Sequence, residues 1–320
     1  MLLALLGLVP GPALAQSVLV TGQIRHGAEN RAVPGLWAVL HEVRRDTMAS
    51  GPIDSSRTDA AGRYRLTLPR VDSSAVYFVS TNYQSIGYFS GAVRVEGGRR
   101  QADVDPVLVY DTTTTGTLRL ARRMLAFHDT DRDAREVLEL IEIENTGTHT
   151  RIARDSLSPV WTILLPPGAA GWEVGEGDLS PAALALAGDT VKVFAPIWPG
   201  GPRATSYHYT LTGSEFRIRL DQRTEEFDVL LQDTTGVVAG PAFDTLGVYD
   251  IEGRRFAAYR TGPLSAGTEI TVSLSSPPLR AEQVVPFIAG AAALALAWGL
   301  WVALKRRPAA VSLASRHKAH

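Results

Sequence analysis

Between residues 17 and 276 this sequence almost lacks the apolar periodicity of a helix, and that feature limits the folds open to it. Short runs of alternating apolar and polar residues recur there instead, separated by Gly, Pro, Asn and Asp. This pattern is typical of half-buried β-strands joined by tight turns. We therefore predict an all-β fold, and the 320 residues suffice for two domains of ordinary size.

The first domain is predicted to cover residues 16–110. It holds about seven short strand-like runs, which is the number found in a small antiparallel sandwich. The clearest runs are VLVTGQIR at 18–25, LWAVLHEV at 36–43, RYRLTL at 63–68, AVYFVST at 75–81, AVRVE at 92–96 and PVLVY at 106–110.

One hairpin in this domain can be predicted in detail from TDAAGRYRLTLP at residues 58–69. The Asp59 carboxylate can accept a hydrogen bond from a backbone amide two residues on, and Gly62 can take the positive φ that ends the turn. In the strand that follows, alternation sends Tyr64, Leu66 and Leu68 into the core and turns Arg63, Arg65 and Thr67 towards water.

Three stretches together carry a family resemblance: this hairpin, GQIRHGAENRAVPGLWAVL at 22–40 and VYFVSTNYQSIGYFSG at 76–91. In this order they resemble the carboxypeptidase regulatory-like domain, also called prealbumin-like or transthyretin-like. The resemblance covers about residues 17–108 and implies an N-terminal prealbumin-like β-sandwich. It implies almost nothing about activity, since such modules accompany peptidases, polysaccharide-binding proteins and surface proteins alike.

A second β-sandwich region, of one module or two, is predicted for residues 111–274. It begins at the Thr-rich linker DTTTTG, and AALALA at 182–187 is interpreted as a short helical turn. We recognise no family here. The strand-like runs are LRLARRMLAF, REVLELIEIEN, VWTILLP, TVKVFAPIW, SYHYTLTG, EFRIRL, FDVLLQD, FAAYRTG and TEITVSL.

Both ends of the chain carry targeting signals. Residues 1–15 form an apolar run that closes on a small-x-small cleavage pattern, so we predict a signal peptide cut before Gln16. No basic residue precedes this run, which leaves the true start residue open. Residues 284–304 are uncharged and would span roughly 31 Å as a helix, the thickness of a bilayer core.

This segment predicts a single transmembrane helix after a short stalk at 275–283. The residues that would anchor it at the interface are Trp298, Trp301, Lys305, Arg306 and Arg307. The tail at 305–320 has five basic residues and no acidic one, which places it in the cytoplasm, while residues 16–283 carry a net charge of −6. A smooth stripe that could support a homo-oligomer consists of Ala291, Ala295, Gly299 and Ala303.

Catalytic and metal-binding motifs are weak. The chain has no Cys, so it has neither disulfides nor a Cys nucleophile. His26 and Glu29 have the spacing of zinc carboxypeptidase ligands, but the third candidate, His128, lies across the linker. Asp129, Asp131 and Asp133 have the spacing of half a calcium loop, and we interpret them as a polar hairpin tip. We predict no metal, no cofactor and no nucleic-acid partner.

Aromatic residues crowd the end of the first domain. Tyr83, Tyr88 and Phe89 could form a platform on which sugar rings stack, although such residues are more often part of the core. Trp37, Trp161, Trp172 and Trp198 are interpreted as core or loop anchors.

Our interpretation is a type I, single-pass protein of the cell membrane, with its β-domains outside the cytoplasm (periplasmic in a two-membrane cell) and its C-terminus inside. It is predicted to be non-catalytic and to bind or position an envelope protein or polysaccharide. One alternative is a carbohydrate-binding module that uses the Tyr83, Tyr88 and Phe89 rim. Another is a hydrolase with its site in 111–274. The sequence leaves the ligand and the oligomeric state open.

Overall fold

The computed structural model describes residues 17–44, 50–95, 99–129 and 134–275. Apart from one short 3-10 helix at Pro181–Ala183, the regular structure in these ranges is β-strand, which confirms the all-β prediction. The chain forms two compact units. The first ends at Thr113 and also includes Thr148–Thr150, and the second begins at Thr114.

Several predicted segments lie outside the described residues: the signal peptide, nearly all of the stalk, the transmembrane helix with its anchor residues and small-residue stripe, and the basic tail. Within the part of the chain that is described, no helix has the length and apolarity needed to cross a membrane.

The first unit is built on two sheets. In the first sheet β1 is central, with β5 antiparallel on one side and β8 and β9 parallel on the other, and β2 pairs with its end. The second sheet has the order β4-β3-β6-β7. The strands are β1 (Val18–His26), β2 (Arg31–Ala32), β3 (Trp37–Arg44), β4 (Ser50–Arg57), β5 (Arg63–Leu68), β6 (Ala75–Tyr83), β7 (Ile86–Phe89), β8 (Gln101–Asp103), β9 (Val107–Val109) and β10 (Thr112–Thr113).

The hairpin before β5 has the predicted geometry. The backbone N–H groups of Ala61 and Arg63 both donate to the Asp59 carboxylate at 2.8 Å. Gly62 has a φ of +71°, and a Cβ at this position would lie only 2.5 Å from the carbonyl oxygen of Ile24. Along β5 burial alternates strictly, with Tyr64, Leu66 and Leu68 inside.

Three features of the first unit differ from the predictions. β4 and β8 were not predicted, and of the predicted strand at 92–96 the described residues 92–95 are not a strand. β4 has a polar sequence, SGPIDSSR, and exists because it pairs with β3 at the sheet edge. β6 and β7 form a hairpin through Gln84 and Ser85, which both have positive φ without being Gly, so the sequence carries no turn signal there.

The second unit contains a long sheet in the order β15-β18-β12-β11-β20-β23-β22. Two smaller sheets, β14-β17-β16 and β19-β24-β21, contribute to the same apolar core. The strands are β11 (Leu118–His128), β12 (Ala134–Asn145), β13 (Thr150–Arg151), β14 (Trp161–Leu164), β15 (Ala170–Gly177), β16 (Leu184–Ala187), β17 (Thr190–Val193), β18 (Pro202–Thr212), β19 (Glu215–Arg219), β20 (Thr224–Leu231), β21 (Val237–Ala239), β22 (Asp244–Ile251), β23 (Arg254–Thr261) and β24 (Glu269–Ser273).

The interpretation of 182–187 as a helical turn is wrong for most of its length. The 3-10 helix ends at Ala183, and residues 184–187 form β16, paired with β17. In this Ala-rich segment local preference is overridden by pairing with a neighbouring strand.

A buried ion pair lies inside the core of the second unit. The Arg123 guanidinium donates to Glu139 at 2.7 Å, and both side chains are 0% exposed. The hydroxyls of Tyr207 and Tyr209 each donate to a different oxygen of the same carboxylate at 2.8 Å. Burial and the charge of Glu139 raise the pKa of both Tyr hydroxyls well above the ordinary value. One carboxylate therefore joins strands β11, β12 and β18.

We expect Glu139→Gln to destabilise the second unit by about 3–5 kcal/mol, because it leaves the Arg123 charge buried without a counter-ion. The measurement is the urea unfolding midpoint of the purified protein. Glu144→Gln is the matched control, since Glu144 pairs with Arg119 near the surface, where such a pair contributes about 0–1 kcal/mol. Equal midpoints for the two variants would contradict a structural role for the buried pair.

Candidate functional site

The predicted zinc ligands are not assembled as a site. His26 is the buried last residue of β1, with Nδ1 3.9 Å from a Glu29 carboxylate oxygen and Nε2 3.6 Å from Asp111. His128 ends β11 and belongs to the second unit. Among the residues that the structure describes, no group of three or more His, Asp or Glu could hold a metal ion.

The predicted calcium half-motif lies mostly outside the described residues. Of its carboxylates only Asp129 is described, and it accepts a hydrogen bond from Arg135 at 2.7 Å. The strands on either side, β11 and β12, pair antiparallel, as expected for strands that flank a hairpin tip.

The predicted sugar-stacking rim is not formed, because its members lie in different environments. Tyr88 is 1% exposed, and its hydroxyl donates to the Tyr110 carbonyl at 2.9 Å. The prediction that Tyr88 presents a ring to a ligand is therefore wrong. Tyr83 is half-buried and its hydroxyl donates to Asp111 at 2.9 Å, whereas Phe89 is 56% exposed.

Phe89 instead belongs to a row of apolar and aromatic side chains on the outer surface of the second sheet. Strand register places them together, because directly opposed residues project to the same side. His41 lies opposite Phe78, and Val39 lies opposite Ser80, which in turn lies opposite Phe89. We call this surface the aromatic face; it comprises Trp37, Val39, His41, Phe78 and Phe89.

The rings of the aromatic face hold one another in place. His41 stacks on Phe78 with centroids 5.1 Å apart and planes 13° apart. Phe78 in turn meets Phe89 edge to face at 5.8 Å. His41 Nε2 lies 2.8 Å from the Ser80 hydroxyl, and partial burial lowers the pKa of His41. The imidazole is therefore a packed, hydrogen-bonded part of the surface.

Trp37 forms the other end of the aromatic face and is 51% exposed. Its interpretation as a core anchor is therefore wrong. The Arg57 guanidinium, on the paired strand, lies 4.9 Å above the indole ring. Arg57 donates to the Gly35 carbonyl at 3.5 Å and forms no ion pair with a described residue.

The Ser80–His41 pair does not make the aromatic face a nucleophilic site by itself. Ser80 and His41 form a hydrogen-bonded pair, but nucleophilic catalysis also needs a group that orients the His and donors for the developing oxyanion. The side chains around this pair are apolar or aromatic, and the backbone groups belong to the sheet. Exposed, ordered rings beside an Arg without a described counter-ion instead match the composition of binding hot spots.

Sequence reasoning missed Trp37, His41 and Phe78. A signal was present, since Trp37, Val39 and His41 alternate along LWAVLHEV. The intervening positions, including Ala38 and Leu40, are equally apolar, so alternation alone did not say which set faces outward.

Comparison with known proteins gives little further information. No family model matches the chain, and no curated protein matches it. Among solved structures, the chain is similar over 49% of its length to an M1 zinc metallopeptidase from Deinococcus radiodurans bound to a Tyr-Ser-Ala substrate, at 10% identity and a TM-score of 0.33. It spans 42% of that peptidase chain, less than half its length.

Two further similarities are of the same kind. The major pilin SpaD of Corynebacterium diphtheriae matches over 81% of both chains, at 10% identity and a TM-score of 0.22. The major plantain pollen allergen Pla l 1 matches 29% of this chain and 91% of its own, at 14% identity and a TM-score of 0.20. With TM-scores this low, none of these likenesses is evidence for a shared fold or activity.

The burial of His128 predicts a pH-dependent stability. Burial first, and then the positive charge of Arg254, lower its pKa to about 4. In the unfolded chain the pKa of His128 is about 6.5. Below that pH the unfolded state therefore binds a proton that the folded state does not bind. Stability should fall by about 2 kcal/mol between pH 7 and pH 5 from this group alone.

The measurement is the unfolding midpoint of the wild type and of His128→Gln as a function of pH. Between pH 7 and pH 5 the midpoint of His128→Gln should change less than that of the wild type. His149→Gln, at an exposed position, should leave the profile unchanged. A His128→Gln profile parallel to that of the wild type would contradict the assignment.

Proposed function

We propose that this chain is a non-catalytic, membrane-anchored protein that holds a protein partner at the cell envelope, with the aromatic face as its docking surface. One observation carries the proposal: Trp37 and Phe89 each expose more than half of their surface on an ordered sheet. Clustered exposed apolar side chains mark interaction sites. The partner is a protein surface with an apolar centre and an acidic group opposite Arg57.

The composition of the aromatic face favours a protein over other partners. Trp and Arg are the residues most enriched in protein interface hot spots, and here they stack on each other. Because His41 holds Phe78 and Phe78 holds Phe89, these rings lose little side-chain freedom on binding.

In this proposal the first unit is a prealbumin-like sandwich that acts as a docking module. The support is the Asp59 to Gly62 hairpin, which has the geometry expected from the resembling motif. The remaining parts of the proposal rest on the sequence: a signal peptide at 1–15, a stalk, a transmembrane helix at 284–304 and a cytoplasmic tail.

The alternatives predicted from the sequence receive less support. The sugar platform would need Tyr83, Tyr88 and Phe89 at the surface, but Tyr88 is buried in the core. The Tyr83 hydroxyl already donates a hydrogen bond to Asp111. A hydrolase in 111–274 would need titratable groups that a substrate can reach. The groups that converge around Glu139 are sealed from solvent, and the pair that a substrate could reach, His208 with Glu173 at 3.2 Å, has no hydroxyl nucleophile hydrogen-bonded to it among the described residues.

A photoreactive amino acid in place of Phe89 should give one discrete crosslinked adduct in intact cells, because this position would lie inside the docking interface. The adduct is measured by gel shift and identified by mass spectrometry. Adding Trp37→Asp to the same chain should reduce the adduct at least about tenfold, as expected for loss of a hot-spot residue.

The matched control is the same photoreactive residue at Leu108, an exposed apolar position on β9 of the other sheet. It should give no such adduct. Crosslinking of the same protein from both positions, or an adduct at Phe89 that survives Trp37→Asp, would overturn the assignment of the aromatic face.

The predicted topology can be tested with a phosphatase that is active only outside the cytoplasm. Fused after His320 it should be inactive, whereas fused after Ser275 in a chain truncated there it should be active. Activity of the fusion at His320 would show that the C-terminus is not cytoplasmic.

A further inference from the structure

The long sheet of the second unit ends in a strand with an open side. β22 (Asp244–Ile251) is the last strand of this sheet and pairs with β23 on its inner side. On its outer side no backbone hydrogen bond joins it to another described segment. An open row of backbone N–H and C=O groups is a template on which a further strand can pair.

The hairpin between β22 and β23 determines which backbone groups point to this open side. Both residues of its loop, 252–253, have positive φ, so Ile251 and Arg254 form the hydrogen-bonded closing pair of a two-residue turn. Hydrogen-bonded and non-hydrogen-bonded pairs alternate along an antiparallel ladder. The N–H and C=O groups of Asp250 and Val248 therefore point away from β23, towards the open side.

β22 has few of the features that usually protect an edge strand from such pairing. Its sequence, DTLGVYDI, contains neither proline nor lysine, and its one register irregularity lies near its start, between Thr245 and Gly247. The other edge strand of this sheet, β15, is interrupted at two places. The end of β22 is apolar on both faces, since Val248 is 49% exposed and Tyr249 is 41% exposed.

The exposed side chains of this edge are held in place by local hydrogen bonds. The Tyr249 hydroxyl donates to the Leu246 carbonyl at 3.0 Å. The Asp250 carboxylate accepts a hydrogen bond from the backbone N–H of Gly253 at 2.9 Å, which ties this charge to the hairpin loop. An incoming strand therefore meets an ordered edge.

We propose that β22 pairs antiparallel with β22 of a second copy of this chain, across a two-fold axis at Tyr249. In this register Tyr249 lies opposite its counterpart, and Val248 lies opposite Asp250 of the second copy. The outward backbone groups of these residues then meet in hydrogen-bonded pairs, and the shared ladder gains about four hydrogen bonds.

A second copy fits this edge because the edge is complementary to itself, as a two-fold contact requires. The outward groups of Val248 and Asp250 are placed symmetrically about Tyr249. Tyr249 itself falls in a non-hydrogen-bonded pair, where opposed side chains are closest and aromatic pairs are favourable. Each Asp250 lies opposite a valine and not opposite the other carboxylate, so the pairing opposes no like charges within this ladder.

A single introduced thiol tests this geometry, because the chain has no cysteine. In full-length Tyr249→Cys, purified in detergent, the two thiols lie across the axis at the Cα separation of a disulfide, about 4.4–6.8 Å. Mild oxidation should form a disulfide-linked dimer at least about tenfold faster than in Leu157→Cys, the matched control at an exposed loop position of the same unit. Val248→Cys, on the other face and out of register, should also react slowly. Equal rates for Tyr249→Cys and either control would overturn the proposal.

Tyr249→Lys and Tyr249→Glu test the same contact without a covalent bond. Either variant alone opposes like charges on the axis, whereas a mixture of the two opposes unlike charges. On affinity resin, tagged Tyr249→Lys should retain at least about fivefold more untagged Tyr249→Glu than untagged Tyr249→Lys. Unfolding midpoints should equal that of the wild type, because the position is exposed.

Equal retention of the two untagged chains would show that copies associate elsewhere, for example through the predicted transmembrane helix, or not at all, and would refute pairing at β22. None of these substitutions alters the aromatic face, so the outcome is independent of the docking test.

Discussion

The alternation of side chains along β3 is the constraint on which both the core and the aromatic face of the first unit depend. Ala38 and Leu40 are fully buried between the sheets, so Trp37, Val39 and His41 must project outward. A shift of one residue in its pairing with β4 and β6 would exchange the two sets. The apolar outer row is therefore a consequence of the register that builds the core, and both sides of this strand are apolar.

This constraint also explains how far sequence reasoning could reach. Where one parity is apolar and the other charged, as in RYRLTL of β5, the buried side follows directly from the pattern. Where both parities are apolar, as in β3, partner strands decide, and the exposed Trp37 could not be predicted. The sequence of β4 is polar and has no alternation, so it gives no strand signal. This segment is a strand because it pairs with β3. Tyr88 lies on β7, which is joined to β6 by a turn through Gln84 and Ser85. Because this turn contains no glycine, the sequence did not show the hairpin, and the burial of Tyr88 could not be predicted.

The second unit places a charged network inside its core. In the second unit Glu139 accepts hydrogen bonds from Arg123, Tyr207 and Tyr209, so a charge that would be costly alone becomes part of the packing. Without any cysteine, such networks and the apolar core must supply the stability. In both units a few buried polar atoms nevertheless lack a hydrogen-bond partner among the described residues, such as the Tyr64 hydroxyl in the first unit and Arg123 Nη1 in the second.

Arg57 gives the aromatic face its charge, since its guanidinium lies over the Trp37 ring. The same guanidinium donates to the Gly35 carbonyl at 3.5 Å, which holds it at the edge of the sheet. A cation over an indole face is attracted by the ring quadrupole, so Arg57 orients Trp37 and brings a positive charge to this surface at the same time. In the proposed docking function, this stacked pair is the part of the surface where the apolar and the charged groups of the partner meet.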